Sequence, residues 1–473
     1  MNNLRANTQV RPYIASVGAN LCVRPTYVFA QLRVRPIINQ GIKLSIFKRL
    51  GLRLNPSTKM VRFLQTNFLI VLILNSGYFF NYLFQLIIAR SLPAADYGIF
   101  NALNSFHLLV LAPVAVIPFI ITRYTVRLST NHFEQVKMLM WKFLQGILLL
   151  GIVLLIIGLL TLSWLKSYLH VTSNSPILIT IITAVVGLYL PVLSATLQGL
   201  HRIIAFSWVN SGSIIIRVIL ALILVTWLGW GVNGALLIGL MTVVIMQGGY
   251  LWLLRDVLQQ PSAPLPPGLF REMARYAVPV TLFTLFNSYA NYIDVVLVQH
   301  YLPEDSGFYA TAVILGKIAF FVPSVLVIVL FPEAAKNQEE GEENPRFLWI
   351  TLWGTALLGG FVALVFNLFP EWIITLLFGQ QYVEAAPLLQ IISIAMVLLA
   401  LSNVIFTYNL AHFRYGFLWF LAGGVGLLYS LIHFFHDTPL MIAQILLLSM
   451  GLIFVGSLGW YVVISQVTTD SKP

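Results

Sequence analysis

The sequence predicts an all-α polytopic membrane protein, with about twelve transmembrane helices in two parallel six-helix bundles around a central cavity. Three observations predict it. Of 473 residues, 59% are hydrophobic and only 9% charged, whereas an ordinary soluble domain carries roughly 25% charged residues. The apolar residues gather into runs of about 20, the length a helix needs to cross a hydrocarbon layer of about 30 Å. Residue pairs also recur at one long offset, which groups the runs into two sets.

Taken in order, the runs lie near 66–89, 99–122, 139–164, 176–200, 207–228, 231–254, 276–300, 308–332, 347–369, 387–411, 415–435 and 439–465. Turn signals separate them: Ser91-Leu92-Pro93 after the first, Gly229-Trp230-Gly231 after the fifth, and Pro261 to Gly268 after the sixth. Pro113, Pro118, Pro191, Pro279 and Pro323 fall inside runs and are expected either to kink the helices or to serve packing. The expected organisation is a basic leader (1–62), an N-terminal six-helix bundle (63–254), a cytoplasmic linker (255–275), a C-terminal six-helix bundle (276–466) and a short tail (467–473).

Residues 1–62 hold eleven Lys and Arg and no acid, so most of the formal charge of +11 sits in this leader and does not point to nucleic acid. The leader lacks an apolar h-region and does not read as a secretory signal. It is expected to be disordered, as a transit-like segment or as the result of a start placed ahead of Met60. Removing residues 1–59 should leave insertion and transport intact; failed targeting of the shortened chain would show the leader to be functional. With the N-terminus inside, twenty-two Lys and Arg fall on the cytoplasmic side and only Arg90 and Lys166 on the other. That bias, with an even number of spans, puts both termini on the cytoplasmic side.

The repeat says how the helices group. Asn81-Tyr82 recurs as Asn291-Tyr292, Leu92-Pro93 as Leu302-Pro303 and Pro113 as Pro323, all 210 residues later, while His201, Phe206 and Trp208 match His412, Phe417 and Trp419 at 211. Six spans per half make both halves enter from the same side, the parallel arrangement of transporters that rock about a central site.

Polar groups inside spans are costly in hydrocarbon and are expected to face a cavity or one another. Asn287, Asn291 and Asp294 recur at i, i+4 and i+7, one face of the seventh span. Asn75, Tyr78, Tyr82 and Gln85 form a similar stripe on the first. The two stripes would line a shared cavity. Arg217 and Lys317 are cations within spans, suited to an anionic group such as a phosphate, which an Arg fork grips bidentately. Either of them pairing internally with Asp294 is the structural alternative. Asp294 is the only acid deep in a span, so it is the candidate for coupling to a proton or sodium ion. His107 is read as either a proton relay or an interhelical hydrogen-bonding group.

The segment Asn75-Ser76-Gly77-Tyr78 through Ala89-Arg90-Ser91-Leu92-Pro93-Ala94-Ala95-Asp96-Tyr97-Gly98 resembles the opening of polysaccharide-export flippases, within the superfamily that also contains multidrug extruders. Leu377-Phe378-Gly379-Gln380-Gln381-Tyr382 through Leu389 resembles the loop before that family's tenth helix. The likeness covers roughly residues 60–465. It implies a flippase that carries polyprenyl-diphosphate-linked oligosaccharide from the cytoplasmic to the outer leaflet by alternating access. On that reading Arg217 and Lys317 hold the diphosphate, and Asn75, Tyr78, Tyr82, Asn287 and Asn291 contact the sugar. A polysaccharide polymerase or export machinery would be its partner.

A cation-coupled multidrug extruder is the alternative within transport, though the first span lacks the acid it would favour. A membrane glycan polymerase or acyltransferase would need His107 or His201 as its catalytic group and a large periplasmic loop, which is missing. A lipid-linked peptidoglycan precursor flippase would usually carry two more helices. No P-loop, HExxH, GxSxG or CxxC pattern is present, and Cys22 is the only cysteine. The chain is therefore expected to be no enzyme and to need no cofactor or metal.

Overall fold

The computed structural model describes residues 77, 79–131, 133–324, 326–327 and 345–470. These are nearly all helical, without a strand among them. Nine of their helices are long and apolar enough to cross a membrane. Three further helices stand at expected spans without meeting that measure. Residues 79–91 are helical up to the Leu92-Pro93 turn. Leu269–Tyr301 has 33 residues, about 50 Å at the helical rise, but carries a polar stripe. Ser306–Phe321 has only 16.

Proline sets the breaks. The second helix runs Ala94–Leu111, tightens to a 3-10 turn at Ala112–Val116 around Pro113, and resumes as Ile117–Asn131. A proline lacks the N–H and crowds the preceding turn, so the i−4 ladder is lost there. Ser175–Gly187 and Leu190–Gly199 are likewise separated just before Pro191. Ser306–Phe321 stops two residues before Pro323. Pro279 is the exception, tolerated inside Leu269–Tyr301. Gly229 and Gly231 take φ of 65° and 57°, left-handed values that need glycine, and turn Ile203–Trp227 into Gly231–Leu253.

The repeat is visible in the backbone. Leu111 and Phe321, where corresponding helices end, are 210 residues apart, as are Ser91 and Tyr301. His201 and Phe413, both non-glycine residues at positive φ (57° and 56°), occupy the turn after the fourth helix of each half.

The halves are joined at one end. A single apolar core runs from Phe84, Ile88 and Tyr97 through Val295–Val298 and Tyr309 to Ile374, Tyr382 and Leu428. At the opposite end the described residues form two smaller cores, one around Ile121, Leu139 and Leu197 that also takes in Leu269, Met273 and Val280 from the start of Leu269–Tyr301, and another around Leu348, Val404 and Tyr461. The joined end carries Arg90 and Lys166. There Arg90 donates from Nε to Leu377 O at 2.8 Å and from a terminal nitrogen to Leu376 O at 2.6 Å, capping the last carbonyls of Pro370–Leu377. Tyr382 donates to Ala89 O at 3.0 Å, and Gln299 to Leu169 O at 3.0 Å. The His300 ring stacks on Tyr168 at 3.8 Å between centroids.

The starts of Ala94–Leu111 and Ser306–Phe321 cross there at backbone contact. A Cβ on Gly98 would come within 2.8 Å of Gly307 N, and one on Gly307 would overlap Ala94 O. Small residues are what allow such an approach inside a membrane.

At the other end, the halves meet through Arg127 and Glu272, 3.1 Å apart and well exposed, a contact worth about 0–1 kcal/mol. Nearby, Arg202 forks onto Asp256. Its hydrogen bonds hold that carboxyl below the usual range. The pair thus adds stability at neutral pH that is lost as pH falls through the depressed value, a small amount because both groups are partly exposed.

Candidate functional site

A polar cavity of about 310 Å³ lies among helices of the first half. Residues 79–91 contribute Asn81, Ala94–Leu111 contributes Asn104 and His107, Ser175–Gly187 contributes Thr180 and Thr183, and Ile203–Ala221 contributes Asn210, Ser213 and Arg217. Thr242 of Gly231–Leu253 completes the polar wall. Among the described residues no Asp or Glu lines it.

Among the described residues Arg217 is the one Lys, Arg, Asp or Glu of the wall. Its Cζ stands 4.5 Å from the centroid of the buried Phe84 ring, and its Nε is buried without a partner. The ring face offers the guanidinium a cation–π contact. It leaves the N–H donors uncommitted to any anion, since no carboxylate pairs with Arg217 among the described residues. The three threonines have spent their protons on their own helices: Thr180 on Pro176 O, Thr183 on Ile179 O and Thr242 on Ile238 O, at 2.8, 2.6 and 2.6 Å. What they can still offer is lone pairs. The cavity therefore presents a cation and amide donors to an anion, and hydroxyl acceptors to a ligand's own hydroxyls.

The seventh-span stripe lies elsewhere. Asn287, Asn291 and Asp294 share a face of Leu269–Tyr301, and Asn291 Nδ2 donates to Asn287 O at 2.8 Å. Asp294 is fully buried; its Oδ2 accepts from Tyr309 at 3.0 Å and its Oδ1 has no partner. Lys317 stands 4.2 Å over the Tyr292 ring. It interacts electrostatically with Asp294 without forming a direct ion pair. Asp294 and Lys317 thus belong to one cluster in the second half, apart from the cavity that Arg217 lines.

Of the first-span stripe, Asn75 and Tyr78 lie outside the described residues. Tyr82 donates its hydroxyl to Ile314 O at 3.1 Å, tying the first span to the second half. Asn81, Asn104, Thr180, Thr183 and Thr242 line the cavity without having been singled out from sequence. The spacing of Asn104 with His107 and of Thr180 with Thr183, each i to i+3 on one helical face, was the available signal.

Residues 63–338 match the family described as polysaccharide biosynthesis protein. The chain belongs to this family. The polysaccharide biosynthesis fold has solved neighbours among transporters. An inward-facing multidrug resistance MATE family transporter of the MOP superfamily superposes with a TM-score of 0.67 at 15% identity, covering 84% of this chain and 96% of its own. The lipid II flippase MurJ in an inward closed conformation gives 0.64 at 12% identity, covering 83% and 87%. The MATE multidrug transporter DinF-BH gives 0.61 at 12% identity, covering 86% and 95%. Among curated proteins the sequence finds no match. The family is thus shown by the sequence, and the chain shares its fold with these membrane transporters.

Proposed function

We propose that this transporter flips a polyprenyl-diphosphate-linked oligosaccharide from the cytoplasmic to the outer leaflet, gripping the diphosphate with Arg217. The supporting observation is a cation in a polar cavity whose described lining has no acid to neutralise it. A cation in a membrane interior needs an anion, a carboxylate or water. A diphosphate supplies the first, and the surrounding amides and hydroxyls suit the attached sugars. The same absence of acid argues against an extruder of organic cations, which needs negative charge in its cavity. Nothing in this chemistry calls for catalysis, a cofactor or a metal, and the chain acts as a carrier.

Alternating access is supported by the one-sided joining of the two halves. Among the described residues the large shared core lies at the Arg90 end, and the smaller, divided cores at the other make that end the one that admits substrate. In this reading that end faces the cytoplasm of a bacterial inner membrane with both termini inside, an orientation the charge bias of the loops supports. The halves correspond to residues 63–254 and 276–466. A polysaccharide polymerase receives the product.

The test is reconstitution into proteoliposomes with a fluorescent polyprenyl-diphosphate sugar, following its exposure to a membrane-impermeant reagent. Accelerated exposure supports the reading. No acceleration, with gradient-driven uptake of organic cations by the same vesicles, overturns it in favour of an extruder.

Asp294 is the coupling residue in this scheme, with Lys317 as a neighbouring charge. Its unpartnered Oδ1 is free to take a proton or a sodium ion. Asp294→Asn is expected to retain downhill flipping and lose its response to an imposed proton or sodium gradient. An unchanged gradient response in that variant would dismiss the coupling role.

A further inference from the structure

The polar cavity has an apolar neighbour. A groove of about 90 Å³ runs between the second, third and fourth helices, walled by Phe106, Leu154, Ile157, Ala184 and Val185. Ile157 is 50% exposed, so the groove reaches the lipid-facing surface. At its floor, Gly158 lets Phe133–Leu160 approach Ser175–Gly187: a Cβ there would stand 2.9 Å from Ile181 Cγ2. At its inner end, His107 and Thr180 line both the groove and the Arg217 cavity. The Nδ1 of His107 is buried without a partner.

The two spaces differ in size as they do in polarity. An apolar cavity of about 150 Å³ holds one benzene-sized molecule, so 90 Å³ admits a single hydrocarbon strand and no headgroup. The 310 Å³ cavity beside it is the polar one. An amphiphile with an anionic head and one narrow tail fits the pair. A phospholipid, with two chains and a single phosphate, uses neither space as well.

We infer that the groove takes the first isoprene unit of the lipid-linked substrate, the rest of the tail running out past Ile157 into lipid, with His107 standing where the diphosphate joins the tail. This rests on the function proposed above. The tail then lies between the third and fourth helices while Arg217 holds the head, and the hydrocarbon never crosses the polar wall.

Binding in detergent and photocrosslinking together test it. The probes are a polyprenyl-diphosphate sugar, the same sugar diphosphate without its lipid, and the lipid form with a diazirine in its first isoprene unit. Ile157→Trp and Val185→Trp, which fill the groove from two helices, are expected to weaken binding of the lipid form at least tenfold. Both should bind the tailless form as the wild type does, which also reports that they fold. In the wild type the diazirine should mark residues 106–110, 154–165 and 180–185. Crosslinks confined to other segments overturn the inference whether or not the variants fold. So does equal binding of the lipid form by folded variants, or crosslinking abolished by excess phosphatidylglycerol, which would identify an annular lipid site. A wild type that binds neither sugar diphosphate overturns the functional reading itself.

Discussion

Arg217→Ala abolishes flipping of the lipid-linked sugar while the protein still reaches the membrane and elutes as a folded species. Truncating one partner of a buried charged contact costs about 2–5 kcal/mol, between about thirtyfold and several-thousandfold in substrate affinity. Because Arg217 has no carboxylate partner among the described residues, removing it leaves no charge stranded, and the bundle loses only a stacking contact with Phe84. Arg217→Lys retains the charge but not the planar fork, so an intermediate rate is expected. The measurement is proteoliposome flipping beside thermal stability in detergent. Wild-type flipping by Arg217→Ala removes the residue from the site, and a large loss of stability would make it structural.

Gly307→Val opens the end that the structure holds shut. The new Cβ overlaps the Ala94 carbonyl, a backbone atom that cannot swing aside as a side chain does. Overpacking of this kind costs about 1–3 kcal/mol, equivalent to about a 5–150-fold shift between two conformations. The readout is a cysteine at Asn104, on the cavity wall, in a Cys22→Ser background. An impermeant maleimide should label it faster from the Arg90 side and more slowly from the opposite side than in the parent. Gly423→Val, where a Cβ meets nothing within 4 Å, is the control and should leave both rates unchanged. Labelling in Gly307→Val that matches the control would show that this crossing does not govern closure.

Much of this architecture was legible before any coordinate. Span positions follow from the bilayer, since a helix that must bury its backbone polar groups in hydrocarbon has a minimum apolar length. The prolines and the Gly229-Trp230-Gly231 turn end or bend helices through local backbone chemistry, and the structure bends near the first, third and last of the five marked prolines. Offset pairs such as Pro113 with Pro323 foretold equivalent helix ends in the two halves.

The meeting of side chains from different helices was another matter. Arg217 and Lys317 read from sequence as two parts of one site, yet one lines a cavity of the first half and the other stands beside Asp294 in the second. Tyr82, read as a sugar contact, donates its hydroxyl to Ile314 across the molecule.

The sequence by itself determined the class of molecule, where its long apolar helices lie, and which polar residues share a helical face. Periodicity reports a face but not the direction in which that face is turned. In a bilayer lipid is as apolar as leucine, so hydrophobicity does not orient one helix against the next. That orientation comes from close packing and interhelical hydrogen bonds, such as the Gly98–Gly307 crossing and the Arg90 cap on Leu376 and Leu377. Only the tertiary structure therefore decided that, among the described residues, Arg217 lines a cavity apart from Asp294 and Lys317, and that the largest shared core lies at the Arg90 end.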